Sequence, residues 1–178
     1  MITMINVNNS GAVMLRFKQT GSIGNVGSIT TSASATAYNT SSDYRLKENV
    51  VAISDGITRL KTLKPYRFNF KVDPDKTVDG FLAHEVTAVP EAIHGTKDAV
   101  ETTYYEEGDT VPEGKSVGDI KEENAVLPQS LDYAKLTPLL TAALQEAITK
   151  IETLESTGTN LQEKVNTISA KVAILDGA

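Results

Sequence analysis

The amino-acid composition of the chain changes within residues 41–50, which read SSDYRLKENV. The segment before this stretch is rich in Ser, Thr, Gly and Ala and carries almost no charge, whereas the segment after it is charged and mixed and ends in a long helical pattern. The same stretch places a hydroxyl side chain, Ser42, five residues ahead of an amine, Lys47. We therefore expect two different kinds of structure to meet at Ser42.

Composition excludes several classes of function. The 178 residues are enough for one domain with appendages, and the net charge of -6 argues against nucleic acid as a partner, since phosphate binding needs a basic face. The chain has no Cys and only two His, so we expect neither a structural zinc site nor any other metal or cofactor.

The sequence also argues against a membrane partner. Residues 1–6 lack a basic region followed by an apolar block, and no eighteen apolar residues run together. We expect neither Sec export nor a membrane span.

Short strands and turns are predicted for residues 12–41. Strand-like runs occupy 12–17, 21–24 and 27–31, with Gly as turn punctuation. So few large apolar side chains cannot form a core alone. We interpret residues 1–41 as a β-rich fibre stub that buries its sparse apolar residues against copies of itself; a flexible Ser/Thr linker is the alternative.

Residues 42–130 predict a small mixed core. Asp43 or Ser42 is placed to cap a short helical turn that runs to Lys47. Apolar spacing predicts a helix over 53–63, which Lys64-Pro65 stops. A strand over 66–71, a turn at 73–75 and a partner strand over 80–83 follow. A short helical or turn element is predicted over 89–93, and an extended, solvated segment that contains Tyr104-Tyr105 over 95–130.

The last third predicts a long helix that associates with other helices. Apolar or small residues recur at heptad spacing, which favours a multi-chain bundle over a surface helix. Two separate amphipathic helices on one core are the alternative, because Gly158 is a point where the helix could break. The heptad positions are Leu140, Leu144, Ala147, Ile151, Leu154, Gly158, Leu161, Val165, Ile168, Val172 and Leu175.

Four ordered motifs carry a family resemblance. Over roughly residues 41–155 the chain resembles the endosialidase-type C-terminal intramolecular chaperone domain, the self-cleaving serine-lysine peptidase domain of phage tail spikes and tail fibres. The motifs are SDYRLKENV at 42–50, LKPYRF at 63–68, GFLAHEV at 80–86, and LDYAKL at 131–136 followed by ALQE at 143–146.

The resemblance implies an α+β fold and an autocatalytic serine endopeptidase. The expected architecture is a β-rich fibre stub (1–41), a chaperone domain (42–178) with a small mixed α/β core and an extended protrusion, and a helical region (131–176) that forms a trimeric bundle. Family members trimerise, assist the folding of an upstream β-structured fibre segment, and then cut themselves off. Carried over by position, Ser42 is the nucleophile, Lys47 the general base, and Ser41–Ser42 the scissile bond.

These roles fit the chemistry of the residue types. A serine hydroxyl needs a base to take its proton, and a lysine serves as that base only if burial or a neighbouring positive charge lowers its pKa from about 10.4 towards 7. Arg45 is such a neighbour, although we expect Asp43 and Arg45 to act mainly as a cap and an ion pair. We expect His84 and Glu85 to be structural. Without the flanking motifs, Ser42-Asp43 would be no more than a helix cap.

The position of the motif in the chain departs from the family pattern. Family chaperones usually follow a receptor-binding or glycan-cleaving region, but here only residues 1–41 precede Ser42, and they contain no Asp or Glu for two-carboxylate glycosidase chemistry. Either the sequence is a truncated piece of a longer protein or it is a short fibre-tip protein whose partner chain supplies the rest. The partner that it folds is accordingly an upstream fibre segment in cis or a fibre partner chain. We expect the location to be the virion tail fibre or spike, after assembly in the host cytoplasm and release of the chaperone part.

Two other functions are the alternatives. A structural trimerisation or tip module that never cuts would keep the same fold without using the Ser42/Lys47 pair. A membrane-tethered transcription factor with a related domain would need a basic DNA-binding region and a membrane span, and neither is found in the sequence.

Overall fold

The computed structural model describes residues 12–19 and 24–176, which divide into two units, Met1–Ala52 and Ile53–Ala178. The described residues contain several strand pairs and one long C-terminal helix, so the predicted α+β class is confirmed. The predicted boundary between residues 41 and 42 concerns cleavage and stays a prediction. None of the described helices combines the length and apolar character that a membrane crossing requires.

The first unit contains a three-stranded antiparallel sheet. Its strands are β1 (Ala12–Gln19), β2 (Gly24–Thr31) and β3 (Thr36–Thr40), in the order β1-β2-β3. The strands predicted at 12–17 and 27–31 are confirmed. Residues 21–23 of the second predicted run, 21–24, lie outside the described residues.

Polar side chains join β2 to β3 across the sheet. Asn39 donates hydrogen bonds to Ser28 Oγ at 3.3 Å and to Thr30 Oγ1 at 3.0 Å. Tyr38 on β3 is 80 % exposed. A sheet held by such polar ladders buries few apolar residues, as its composition predicts.

The second unit begins with a short helix followed by a β-hairpin. Helix α1 covers only Gly56–Leu60, shorter than the predicted 53–63, and Ile53 lies before it, outside any helix or strand. The hairpin joins β4 (Tyr66–Phe70) to β5 (Asp73–Gly80), which confirms the first predicted strand.

The predicted turn at 73–75 and partner strand at 80–83 are wrong in position. A two-residue turn at Lys71-Val72 reverses the chain, so Asp73 already pairs with Phe70. Pro74 is tolerated because β5 is an edge strand of this two-stranded sheet. Gly80 ends β5, and a 3-10 helix over Ala83–Glu85 follows.

The predicted excursion at 95–130 is a second, mostly exposed hairpin. Strand β7 (Val100–Tyr104) pairs with β8 (Ile120–Val126), while the short strands β6 (Ile93–His94) and β9 (Ser130–Leu131) pair at its base. The short element predicted over 89–93 is a 3-10 helix, Pro90–Ala92, and Pro90 is tolerated there because a position in the first turn needs no backbone donor.

One continuous helix, α2 (Thr137–Asp176), forms the last 40 described residues. It passes through Gly158 without a break, so the alternative of two separate helices is not observed. Asp132 caps the 3-10 turn Tyr133–Leu136 that leads into α2 by accepting from Ala134 N at 3.0 Å.

The core of the second unit lies beside the start of α2. Burying a Val or Leu side chain contributes about 1.5–3 kcal/mol, so this small cluster is the main apolar stabilisation of the unit. Its buried members are Val86, Val89, Ala92, Leu136 and Leu139, with Leu63, Phe81, Ala88, Ile93 and Leu131 packed around them.

Helix α1 crosses α2 at Gly56. A Cβ added to Gly56 would lie 2.5 Å from Ala143 N and 2.7 Å from the carbonyl carbon of Ala142. The site therefore tolerates no side chain. The environment of Gly158 is the opposite, because a Cβ added there meets nothing within 4 Å.

These two glycines predict opposite effects of the same substitution. Gly158→Ala should stabilise α2 by about 1 kcal/mol, because Ala has the better helix propensity. Gly56→Ala should destabilise the protein by about 1–3 kcal/mol through overpacking. Urea unfolding of both variants in a Ser42→Ala background, which keeps the chain uncut if it cleaves itself, measures the two changes. Equal effects at the two positions would contradict the packing described here.

Candidate functional site

The predicted scissile bond lies at the end of a strand. Ser41 N donates to Val26 O at 3.0 Å, which continues the pairing of β3 with β2 beyond Thr40. The residue on the acyl side of the bond is therefore held by backbone hydrogen bonding. A fixed carbonyl is what a nearby nucleophile requires.

A capped turn follows at once. Asp43 is the N-cap of the 3-10 helix Tyr44–Leu46, and its Oδ1 accepts from Arg45 N at 2.9 Å. Lys47 N closes the turn by donating to Tyr44 O at 3.1 Å. Asp is favoured at such a cap because its carboxylate satisfies a backbone donor that the turn leaves free.

This turn brings the predicted nucleophile and base together. Lys47 Nζ donates to Ser42 Oγ at 2.8 Å. That separation is within the range expected of a nucleophile and its base. Ser42 and Lys47 are both exposed, so in the single chain the pair is open to solvent.

Asp43 and Arg45 form an ion pair beside the two residues. Arg45 Nη2 lies 2.6 Å from Asp43 Oδ2, and Arg45 Nε lies 3.0 Å from Asp43 Oδ1. The guanidinium hydrogen bond, helped by the backbone bond from Arg45 N and by the charge of Lys47, lowers the pKa of Asp43, and the same contact raises the pKa of Arg45. The charge of Arg45 is thus engaged by Asp43, rather than free to act on Lys47.

Another polar cluster lies in the second unit. Glu85 accepts from the Tyr66 hydroxyl at 2.7 Å and lies 3.4 Å from Lys64 Nζ. The Tyr66 hydrogen bond is the largest cause of the lowered pKa of Glu85 and of the raised pKa of Tyr66. These contacts tie the start of β4 to the 3-10 helix at Ala83–Glu85, which is a structural use of Glu85. His84 beside it is exposed.

Sequence reasoning missed a third polar contact. The carboxylate of Glu146 on α2 accepts hydrogen bonds from the backbone N–H groups of Gly56 and Ile57 at the start of α1, the latter at 3.2 Å. Because the donors are backbone groups, no motif of side chains in the sequence predicts this contact. Within the described residues, no three His, Asp or Glu side chains come together as a metal site would require.

The ion pair predicts a pH-dependent cap. Because the pKa of Asp43 is lower in the folded protein than in the unfolded chain, its carboxylate stabilises the turn at pH values above the unfolded pKa of about 3.9. This contribution disappears as the pH falls through the folded pKa. An NMR titration of the Asp43 carboxyl should therefore give a value below 3.9, and Arg45→Gln should raise it. Arg67→Gln, which removes the similar partner of Asp79, should leave Asp43 unchanged. No rise at Asp43 in Arg45→Gln would show that the ion pair does not form in solution.

Comparison with known proteins finds a related family for part of the chain. A search of curated proteins gives no match. The family model of peptidase S74, described as the chaperone of endosialidase, matches residues 42–94, and the match begins at the predicted nucleophile. It includes Lys47 and the motifs at 63–68 and 80–86, and supports a role as a chaperone of this type. The resemblance is confirmed for residues 42–94, which match the model of the chaperone of endosialidase family.

Proposed function

We propose that the chain is a self-cleaving intramolecular chaperone of a phage tail fibre or tail spike. It assembles as a homotrimer, promotes folding of the upstream β-structured segment, either residues 1–41 in cis or a fibre partner chain, and cuts the Ser41–Ser42 bond. The observation that carries the proposal is the 2.8 Å hydrogen bond between Lys47 Nζ and Ser42 Oγ, next to a strand end that holds Ser41.

The proposed reaction uses consecutive parts of one chain. Neutral Lys47 takes the hydroxyl proton of Ser42. At the same time Ser42 Oγ bonds to the carbonyl carbon of Ser41, which forms a tetrahedral intermediate. When the C–N bond breaks, the α-amine of Ser42 takes the proton from the lysine ammonium, which leaves an ester between Ser41 and Ser42 Oγ. Water then hydrolyses the ester to a Ser41 carboxylate and a free Ser42 hydroxyl. Tethering the two reacting groups gives a high effective concentration.

Assembly would supply what the single chain lacks. Both members of the pair are exposed in one chain, and water favours a charged ammonium over the neutral amine that a base must be. A neighbouring copy that covers this surface would remove water and favour the neutral form. Several apolar side chains close to the pair in sequence are exposed and available for such cover: Tyr44, Leu46, Val50 (81 %) and Val51 (84 %).

The exposed seam of α2 supports trimerisation. In the single chain Ile151 is 54 % and Leu154 70 % exposed, and the other large apolar heptad residues are exposed as well. Monomeric proteins rarely leave a continuous apolar stripe of this length in water. The same seam would serve a structural trimerisation module that never cuts, so cleavage is the property that separates the two functions.

Intact-mass spectrometry tests cleavage directly. The wild-type chain should give a fragment that begins at Ser42, whereas Ser42→Ala and Lys47→Ala should stay full length, because loss of a nucleophile or general base slows such a step by about 10²–10⁴-fold or more. Lys61→Ala, which removes an exposed lysine elsewhere, should cut like the wild type. Full-length mass for all four chains, with a trimer by light scattering, would favour the structural module.

Breaking the seam tests the coupling of cleavage to assembly. Ile151→Asp places a charge at a heptad position and should abolish both the trimer and the cut, because an unpaired charge cannot be buried cheaply. Ser156→Asp, a charge on the same helix outside the heptad positions, should leave both intact. Light scattering and mass spectrometry on the same samples measure the two properties. A monomeric Ile151→Asp chain that cuts at the wild-type rate would exclude the coupling.

A further inference from the structure

An apolar groove lies at the start of α2, beside the core of the second unit. Its volume is about 430 Å³. Tyr133 is 53 % and Leu140 is 48 % exposed, so the groove is open to solvent in the single chain. We call it the Leu140 groove. Besides Leu140, its lining includes Leu60, Leu63, Pro65, Phe81, Tyr133 and Leu136.

The walls of the groove are held in place by their own chain. The ring of Tyr133 lies 6.1 Å from that of Phe81, measured between centroids. Its hydroxyl lies over Gly80, where an added Cβ would come within 2.8 Å of it. Leu136 is 4 % exposed and belongs to the buried core. A partner that enters the groove therefore meets a surface that is already formed, which reduces the entropy lost on association.

The groove is continuous with the apolar seam of α2. Leu140 is the first heptad residue of the seam, and it also lines the groove. Leu144, one turn further along α2, is 62 % exposed. A neighbouring helix that packs on the seam at Leu140 would therefore lie over the groove as well.

Charged residues beside the seam favour a neighbouring helix that runs parallel and in register. With Ile151 at heptad position a, Lys150 lies at position g and Glu155 at position e, and both are exposed. One turn before the end of α2, Lys171 and Asp176 repeat this arrangement. In a parallel coiled coil a g residue faces the e residue five positions later on the next helix, so both pairs join opposite charges. An antiparallel neighbour would set g against g, lysine against lysine.

We propose that the Leu140 groove is an interface for a second copy of this chain, so that residues around the core, as well as the seam, take part in assembly. The inference rests on the trimerisation in the proposed function. In a parallel arrangement in register, the start of α2 of the neighbouring copy lies at the level of the groove. Its exposed Leu140 and Leu144 are the apolar side chains available to fill the groove. Covering Tyr133 in this way removes further apolar surface from water.

The lining suits a protein partner better than a small polar ligand. Sites for small ligands combine apolar walls with a few polar groups that fix the orientation of the ligand. Among the described residues that line the groove, the hydroxyl of Tyr133 is the only polar side-chain group. Apolar side chains of a second copy need no such group.

Cysteine labelling tests the groove, because the chain has no Cys of its own. Tyr133→Cys and Pro65→Cys each place one thiol in the groove, at positions that are exposed in the single chain. Tyr104→Cys is the matched control, since Tyr104 on β7 is 51 % exposed and lies outside the groove. All three are made in a Ser42→Ala background, and each rate of reaction with a maleimide is divided by the rate of the same variant in urea.

The assembled chains should show protection in the groove alone. Labelling of Tyr133→Cys and Pro65→Cys should be at least about tenfold slower than labelling of Tyr104→Cys, because a covered thiol reacts only when the interface opens. Adding Ile151→Asp, which is expected to give the monomer, should restore fast labelling at both groove positions. Loss of the trimer in a groove variant that keeps its circular dichroism, but not in Tyr104→Cys, also supports the inference.

The other outcomes separate the inference from the proposed function. Fast labelling at either groove position, in a chain that light scattering shows to be a trimer, overturns the inference while trimerisation stands. Slow labelling that persists in the Ile151→Asp monomer also overturns it, since the groove would then be closed by its own chain or by a small ligand. If the parent chain is a monomer, trimerisation itself fails, and the inference fails with it.

Discussion

The close approach of Gly56 to α2 is the contact on which the second unit depends. No Cβ fits between this backbone and Ala142–Ala143, so α1 lies directly on the longer helix. That approach lets the carboxylate of Glu146 reach the first N–H groups of α1. One turn earlier on α2, Leu139 packs in the core with Val86 and Val89. A larger residue at position 56 would push α1 away from Ala142 and Ala143 and weaken the hydrogen bonds to Glu146.

The candidate site is built in a different way. Ser42, Asp43, Arg45 and Lys47 meet through one strand end and one capped turn, and every contact among them is local in sequence. Such a pair can form before the rest of the chain has folded. If it acted then, the fibre would be cut before its chaperone had worked, so an environment supplied late, by assembly, is the physical requirement of the proposed function.

The sequence predicted those features that depend on neighbouring residues. The turn capped by Asp43, the strand at Tyr66–Phe70 and the long helix follow from capping, alternation and heptad spacing. The predictions are wrong where contacts between residues distant in the sequence determine the bounds of an element. Helix α1 is short because its start is set by contact with α2, and Asp73 belongs to a strand because a two-residue turn precedes it. The anchoring by Glu146 has no signal in the sequence, since its partners are backbone amides.

The most direct test of the same-chain pair is a mixing experiment. Ser42→Ala and Lys47→Ala chains that carry different tags are refolded together, mixed oligomers are isolated through both tags, and the products are weighed by mass spectrometry, beside wild-type chains treated in the same way. Because Lys47 lies 2.8 Å from Ser42 of its own chain, the mixed oligomers should stay uncut while the wild type is cleaved. A fragment starting at Ser42, released from the Lys47→Ala chain, would show that the lysine of a neighbouring copy serves the serine, and would contradict the same-chain pair.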